Sequence, residues 1–192
     1  METVGVAEMV LSGAINKSIV SAINVAGGKA VGISGRDARL ITAKAVNANL
    51  GFTGEPTGTD VSLIETLASA DAGFIPVVSP ISADEEGHGY NINADTAAGV
   101  LASALGASRL MLLTDIEGVM DADKNVLTDL STKDARGLIE DGTAQGGMIP
   151  KLTTAINAVE NNVEAVVILD GRRAHGLLVE LFTDMGAGTL IR

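Results

Sequence analysis

The sequence contains no cysteine and no tryptophan, and only one tyrosine, three phenylalanines and four prolines among its 192 residues. Without cysteine there is no disulfide framework, no thiolate zinc ligand and no cysteine nucleophile. The two histidines, His88 and His175, stand too far apart in sequence to form a local metal motif, so no metal site built by the protein is expected. Basic side chains are also scarce, 13 against 24 acidic ones for a net charge of −11. That balance repels phosphodiester backbones and anionic lipid, which argues against a nucleic-acid or membrane partner. No apolar run approaches the ~20 residues of a membrane helix, and Met1-Glu2-Thr3-Val4 lacks the basic start of a signal peptide; a cytoplasmic protein is expected.

What is abundant is aliphatic. Hydrophobic residues make up 46% of the chain and there are 23 glycines, so the core must be assembled from Ala, Val, Leu and Ile. A chain of this length buries roughly 70% of the surface that its unfolded form exposes, enough for a packed core. Apolar residues at three- and four-residue spacings over Ala7–Ala26, followed by Gly27-Gly28, predict an amphipathic helix with a glycine stop. Lys29–Ser34 reads as a short strand, residues 35–60 as turns and small antiparallel strands, and Val61–Ala72 as a helix ending at Gly73. A strand over Phe74–Ile81 follows, then a helix of small residues over Ala94–Ala107 and a strand over Arg109–Thr114. Thr132–Glu140 and Met148–Asn161 read as helices, Ala165–Leu169 as a strand, Ala174–Phe182 as a helix and Thr189–Ile191 as a closing strand. Alternating units of this kind imply an α/β fold, a mostly parallel sheet between helices.

Three stretches carry polar groups where ligands bind such sheets, beyond a strand end or at a helix start. In Tyr90-Asn91-Ile92-Asn93-Ala94-Asp95, two amides and a carboxylate alternate along an extended segment that enters a helix. They either face a ligand or cap that helix. Gly146-Gly147-Met148-Ile149-Pro150-Lys151 leads a glycine pair into a helix whose first turn holds a lysine. A lysine there opposes the helix macrodipole, and a bound anion would remove the conflict; the alternative is a solvated side chain on a flexible turn. Thr114-Asp115 with Gly118-Val119 forms a polar turn after a strand. Ser34-Gly35-Arg36-Asp37 fits either a ligand loop or a salt-bridged turn, and neither histidine has a partner that spacing identifies.

Taken together and in order, these strings resemble the N-acetylglutamate kinases of the amino-acid kinase family. The resemblance also includes Glu8-Met9-Val10-Leu11 with Asn16-Lys17, Ala30-Val31-Gly32-Ile33-Ser34-Gly35-Arg36-Asp37, Gly73-Phe74-Ile75-Pro76-Val77, and Glu180-Leu181-Phe182-Thr183-Asp184 with Gly188-Thr189. It implies a three-layer αβα sandwich of the amino-acid kinase type, with residues 1–107 as the acylamino-acid lobe and 108–192 as the nucleotide lobe. It further implies transfer of the γ-phosphoryl group of ATP, with Mg2+, to the side-chain carboxylate of N-acetyl-L-glutamate in arginine biosynthesis. Asn91 and Asn93 would bind the acylamino acid, Asp95 would organise the catalytic lysines, and Lys151 would stabilise the transition state. Thr114, Asp115, Gly118, Val119, Gly146 and Gly147 would contact the nucleotide.

Family members carry, ahead of the stretch that matches Met1, strands with a lysine, glycine-rich loops and a carboxylate-binding arginine that have no counterpart here. The expectation is therefore an N-terminally incomplete kinase, first a truncated or mis-started gene product and second one half of a split enzyme, that works as a homodimer or with a complementing N-terminal fragment. The alternatives are a catalytically inactive nucleotide- or effector-binding subunit, or a kinase for a related acylamino acid such as acetylaminoadipate. His175 and Leu178–Gly188 match the arginine-feedback region of sensitive members, but Met185 replaces an acidic residue there, so feedback is not expected.

Overall fold

The computed structural model describes residues 3–183 and 186–192. The chain divides into two compact units after Ala97.

The first unit begins with α1 (Thr3–Glu8), a π-helical stretch Met9–Ile15, and α2 (Asn16–Val25), which run on continuously. Gly27, at φ +93°, ends the run, and the Gly28 N–H returns to the Ile23 carbonyl at 3.0 Å. The elements β1 (Ala30–Ser34), β2 (Ile41–Ala45), β3 (Thr53–Thr59), α3 (Ser62–Ala68), β4 (Ile75–Ser79), β5 (Ile81–Ala83) and β6 (Gly89–Ile92) follow. β1 and β4 pair in parallel, from Ala30 opposite Ile75 to Ser34 opposite Ser79. The other strands close a small barrel in the order β2-β3-β6-β5, where the sequence promised only small antiparallel strands.

Two further differences have local causes. The single strand expected over Phe74–Ile81 splits at Pro80, which has no N–H to donate to a ladder. The helix expected to reach Ala72 stops at Ala68, because the Ser69 hydroxyl bonds the Thr66 carbonyl and the Ala72 N–H at 3.0 and 3.3 Å and competes with helical pairing.

The first helical run also corrects an expectation. Thr3–Val25 is 23 residues long with a hydropathy of 1.3 and only 6% of its most apolar window buried, so by length and composition it could cross a membrane. The sequence conceals this by interrupting the apolar run with Ser, Gly, Asn and Lys. The helix nevertheless packs on β1 and β4. Asn16, 2% exposed, donates to the carbonyls of Val77 (2.8 Å) and Ile33 (3.3 Å), one on each strand. Gly32 is required beneath it, because a Cβ there would lie 1.9 Å from Asn16 Oδ1.

The second unit holds most of α4 (Ala94–Ala104), then β7 (Leu110–Thr114), β8 (Asp129–Leu130), α5 (Thr132–Glu140), α6 (Met148–Glu160), β9 (Val166–Asp170), α7 (Gly176–Phe182) and β10 (Gly188–Ile191). Its sheet has the order β7-β9-β10-β8, with β9 parallel to β7 and antiparallel to β10. β9 is apolar on both faces and therefore serves two cores. Val166 and Ile168 join Leu112, Ile191, Leu152 and Ala155 on one side, whereas Val167 and Leu169 meet Val179 of α7 on the other. The α/β class is thus as expected, with this unit's sheet between helical layers and β10 as an antiparallel exception. Small residues in α4 allow it to pack closely on α6: a Cβ on Gly99 would lie 2.8 Å from Thr154 Cγ2.

Candidate functional site

β7 ends at Thr114, where the Gly171 N–H from the loop after β9 takes the Thr114 carbonyl at 2.9 Å. The chain then turns through Asp115 and Ile116. Opposite this turn, Gly146 at φ +53° swings the backbone into α6, and a side chain larger than hydrogen would be strained there. Gly147 occupies the N-cap without a side-chain cap, Pro150 sits in the first turn where its missing N–H costs nothing, and Lys151 follows. Thr114, Asp115 and Ile116 face Gln145, Gly147, Met148 and Lys151 across a cavity of about 270 Å³.

The site thus combines a polar strand end, one carboxylate, one ammonium group and the positive end of a helix 13 residues long. An anion entering it meets both the Lys151 charge and the macrodipole. Apolar Ile116 and Met148 can take a flat or apolar portion of the same ligand. Four sequence candidates, Thr114, Asp115, Gly147 and Lys151, therefore share one pocket, and Gly146 forms the bend that admits it. Ile116, Gln145 and Met148 join them; their only sequence signal was adjacency to the glycine pair and the polar turn.

Gly118 and Val119 have a different surrounding. Both are buried, Val119 at 1% exposure, because the turn after β7 folds back onto β10. The Val119 N–H donates to Thr189 Oγ1 at 2.8 Å, and that hydroxyl donates to the Leu127 carbonyl at 2.6 Å. A Cβ on Gly118 would lie 2.6 Å from the same oxygen. Thr189→Val should therefore cost about 1–3 kcal/mol in chemical denaturation, because it leaves a buried N–H and a carbonyl unpaired.

A second cavity, of about 510 Å³, is lined by Glu117, Val126, Thr128, Asp170, Arg173, Gly186, Ala187 and Gly188. Its loop is held where Glu180 accepts the Ala187 N–H at 2.8 Å and meets Arg109 at 3.6 Å. Asp184 and Met185, named in the sequence comparison with arginine-sensitive members, lie outside the described residues.

In the first unit, Asn91 sits on β6 with its side chain exposed. Asn93 Oδ1 accepts the Thr96 N–H at 3.1 Å and so caps the start of α4, while Asp95 occupies its first turn. The alternation of Asn91 and Asn93 therefore ends before Asp95, because the chain turns helical at Ala94. The two-way reading of residues 34–37 resolves as a bonded turn. Asp37 Oδ2 accepts the Ser34 N–H at 2.6 Å, and Arg36 pairs with Glu8 at 2.7 Å. Beyond it, Ala38 and Arg39 both hold positive φ, 50° and 56°. His88 Nδ1 lies 3.0 Å from Asp84, inside its acidic loop, and His175 precedes α7 at φ 60°.

Residues 1–170 match the profile of the amino acid kinase family. The acetylglutamate kinase of Caulobacter sp. strain K31 is 55% identical to this chain, covering 98% of it, and that of Novosphingobium aromaticivorans is 54% identical, covering all of it. The chain spans 68% of the length of each of these relatives. Among solved structures, N-acetylglutamate synthase from Neisseria gonorrhoeae, in complex with coenzyme A and N-acetyl-glutamate, superposes with a TM-score of 0.86 at 28% identity, over 98% of this chain and 43% of that one. Carbamate kinase from Giardia lamblia bound to AMP-PNP shares the fold, with a TM-score of 0.69 at 18% identity, over 97% of this chain and 70% of that one.

Proposed function

From the premise that this chain belongs to the amino acid kinase family, with acetylglutamate kinases as relatives at more than half identity, we propose that it serves ATP-dependent phosphorylation of the side-chain carboxylate of N-acetyl-L-glutamate, a step of arginine biosynthesis. The observation that carries this reading is the pocket in which Lys151 and the start of α6 face the Thr114-Asp115 turn.

In the reaction, a carboxylate oxygen of the acceptor attacks the γ-phosphorus and the bond to the β,γ-bridging oxygen breaks, with its electron pair leaving on ADP. The nucleophile is already an anion, so no general base is needed, and catalysis consists of positioning two anions and offsetting charge on the transferred group. A chain of net charge −11 must do this with local positive charge, which Lys151 and the helix start supply. Asn91 and Asn93 are assigned to the acylamino acid, and Asp95 to organising the catalytic cations. Mg2+ accompanies the nucleotide. It is commonly held by one or two carboxylates plus phosphate oxygens, and Asp115 is the carboxylate in the pocket that fits this role.

A cytoplasmic location, where ATP is supplied, belongs to the same reading. So does self-association through the helical run, whose Val6, Met9, Val10 and Ile19 are exposed. Partnership with a complementing N-terminal fragment remains the other form of assembly that would serve this activity.

The test is trapping of the acyl phosphate by hydroxylamine with Mg-ATP and acetylglutamate, beside calorimetric titration with ATP. Product formation supports the kinase, and acetylaminoadipate offered in competition assigns the acceptor. ATP binding without product would overturn catalysis by this chain and leave a nucleotide-binding subunit.

A further inference from the structure

The sequence Asp170-Gly171-Arg172 runs from the last residue of β9 into the loop beside the end of β7, with Asp170 paired to Thr114 in the ladder. Two hydrogen bonds tie the two strand ends together, and an ion pair braces the second. The Gly171 N–H takes the Thr114 carbonyl at 2.9 Å, and Gly171 packs so closely on Leu113 that a Cβ would lie 3.1 Å from the Leu113 Cβ. Arg172 grips Asp170 with two donors, Nε to Oδ1 at 2.9 Å and Nη2 to Oδ2 at 2.9 Å. Nη2 also donates to the carbonyl of Asp115. The hydrogen bonds from Arg172 hold the Asp170 carboxyl below the usual carboxylate range, and the same pairing raises the Arg172 guanidinium.

Two consecutive carbonyls, of Thr114 and Asp115, are therefore held by the neighbouring loop at the point where the chain leaves β7 and begins the wall of the 270 Å³ pocket. The Asp115 side chain is exposed. We propose that Arg172 is a positioning residue for the nucleotide: braced on Asp170, it sets the Asp115 main chain and with it the Asp115-Ile116 wall of the pocket. Arg172 itself does not line the pocket, and it acts through Asp115. A guanidinium suits this task because its planar donors can span a carboxylate and a carbonyl at once, which a single ammonium cannot do in the same geometry. The inference rests on reading the pocket as a nucleotide site.

The experiment measures ATP binding by calorimetry, acyl-phosphate kinetics, and the amide resonances of Asp115, Ile116 and Glu117 in the wild-type chain and in Arg172→Ala, Arg172→Lys and Asp170→Asn. The expected result for Arg172→Ala is ATP binding weakened about tenfold with a matching rise in KM for ATP, while kcat at saturating ATP and KM for acetylglutamate stay unchanged. The three amides should shift, Arg172→Lys should fail to restore binding, and the Asp170→Asn and Arg172→Ala effects should be less than additive. A variant with a wild-type melting temperature, unmoved amides and unchanged ATP affinity overturns the positioning role alone. A wild-type chain that binds no ATP overturns the reading of the pocket and this inference with it.

Discussion

Lys151→Ala is expected to lower the rate of acyl-phosphate formation by about 10²–10³-fold while weakening ATP binding less than tenfold. The asymmetry follows from where charge moves. In the ground state the phosphates of ATP remain open to solvent, and the loss of one ammonium is partly made good by water. In the transition state the negative charge spreads over the equatorial oxygens of the phosphoryl group, where, in the proposed reaction, a cation at the start of α6 would act on it. A group that interacts more strongly with the transition state than with bound substrate changes kcat more than affinity. Lys151→Arg keeps the charge but not the compact ammonium geometry, so partial recovery is expected. The measurement is hydroxamate formation against calorimetric ATP affinity in the same preparations. Turnover near that of the wild type would remove Lys151 from the catalytic role.

The largest expected effect on stability is at Gly188. It opens β10 opposite Leu169, and a Cβ there would lie 2.1 Å from the Ile168 carbonyl oxygen and 2.8 Å from the Leu169 Cβ. The first of these is backbone, so no rotamer change relieves it. Either β10 shifts off β9 or β9 itself moves, and β9 is buried on both faces through Val166, Val167, Ile168 and Leu169. Gly188→Ala should cost about 3 kcal/mol, at the high end for overpacking, which for a chain of this size lowers Tm by roughly 6–12 °C. Gly137→Ala is the contrasting variant. It sits inside α5 with nothing within 4 Å of its Cβ position, so it should stabilise by about 0.5–1 kcal/mol through helix propensity alone. Equal melting temperatures for the two variants would show that β10 is not locked to β9 in this way.

Much of the candidate site was legible in sequence because its parts are local. A glycine pair running into a helix with an early lysine, and a polar turn after an apolar strand, are signals written within six residues or so, and both proved to lie on one pocket. What was missed there, Ile116, Gln145 and Met148, are ordinary residues whose role comes only from the side on which the turn and the helix start face each other. Gly118 and Val119 show the converse: a pattern that reads as part of a ligand turn is folded onto β10 by a hydroxyl from Thr189, 70 positions away in the chain. Arg172 gave no signal at all, since its distant partner is the carbonyl of Asp115, in a turn that adjoins it only after β7 and β9 have paired.

The sequence by itself determined the class of fold and the order of its elements, because apolar period, glycine stops and helix caps act over a few residues. It also determined the helix α5 over Thr132–Glu140 to the residue, since Ser131 and Asp134 form a reciprocal capping box that depends on nothing distant. Only the tertiary structure decided the rest. Closure of β2, β3, β5 and β6 into a barrel, the antiparallel seat of β10, and the tie from Asp170 and Arg172 to the turn after β7 all join residues far apart in sequence. Their geometry is fixed by backbone pairing and by the space left where side chains are absent, as at Gly32 and Gly188, and neither is encoded in the spacing of any one segment.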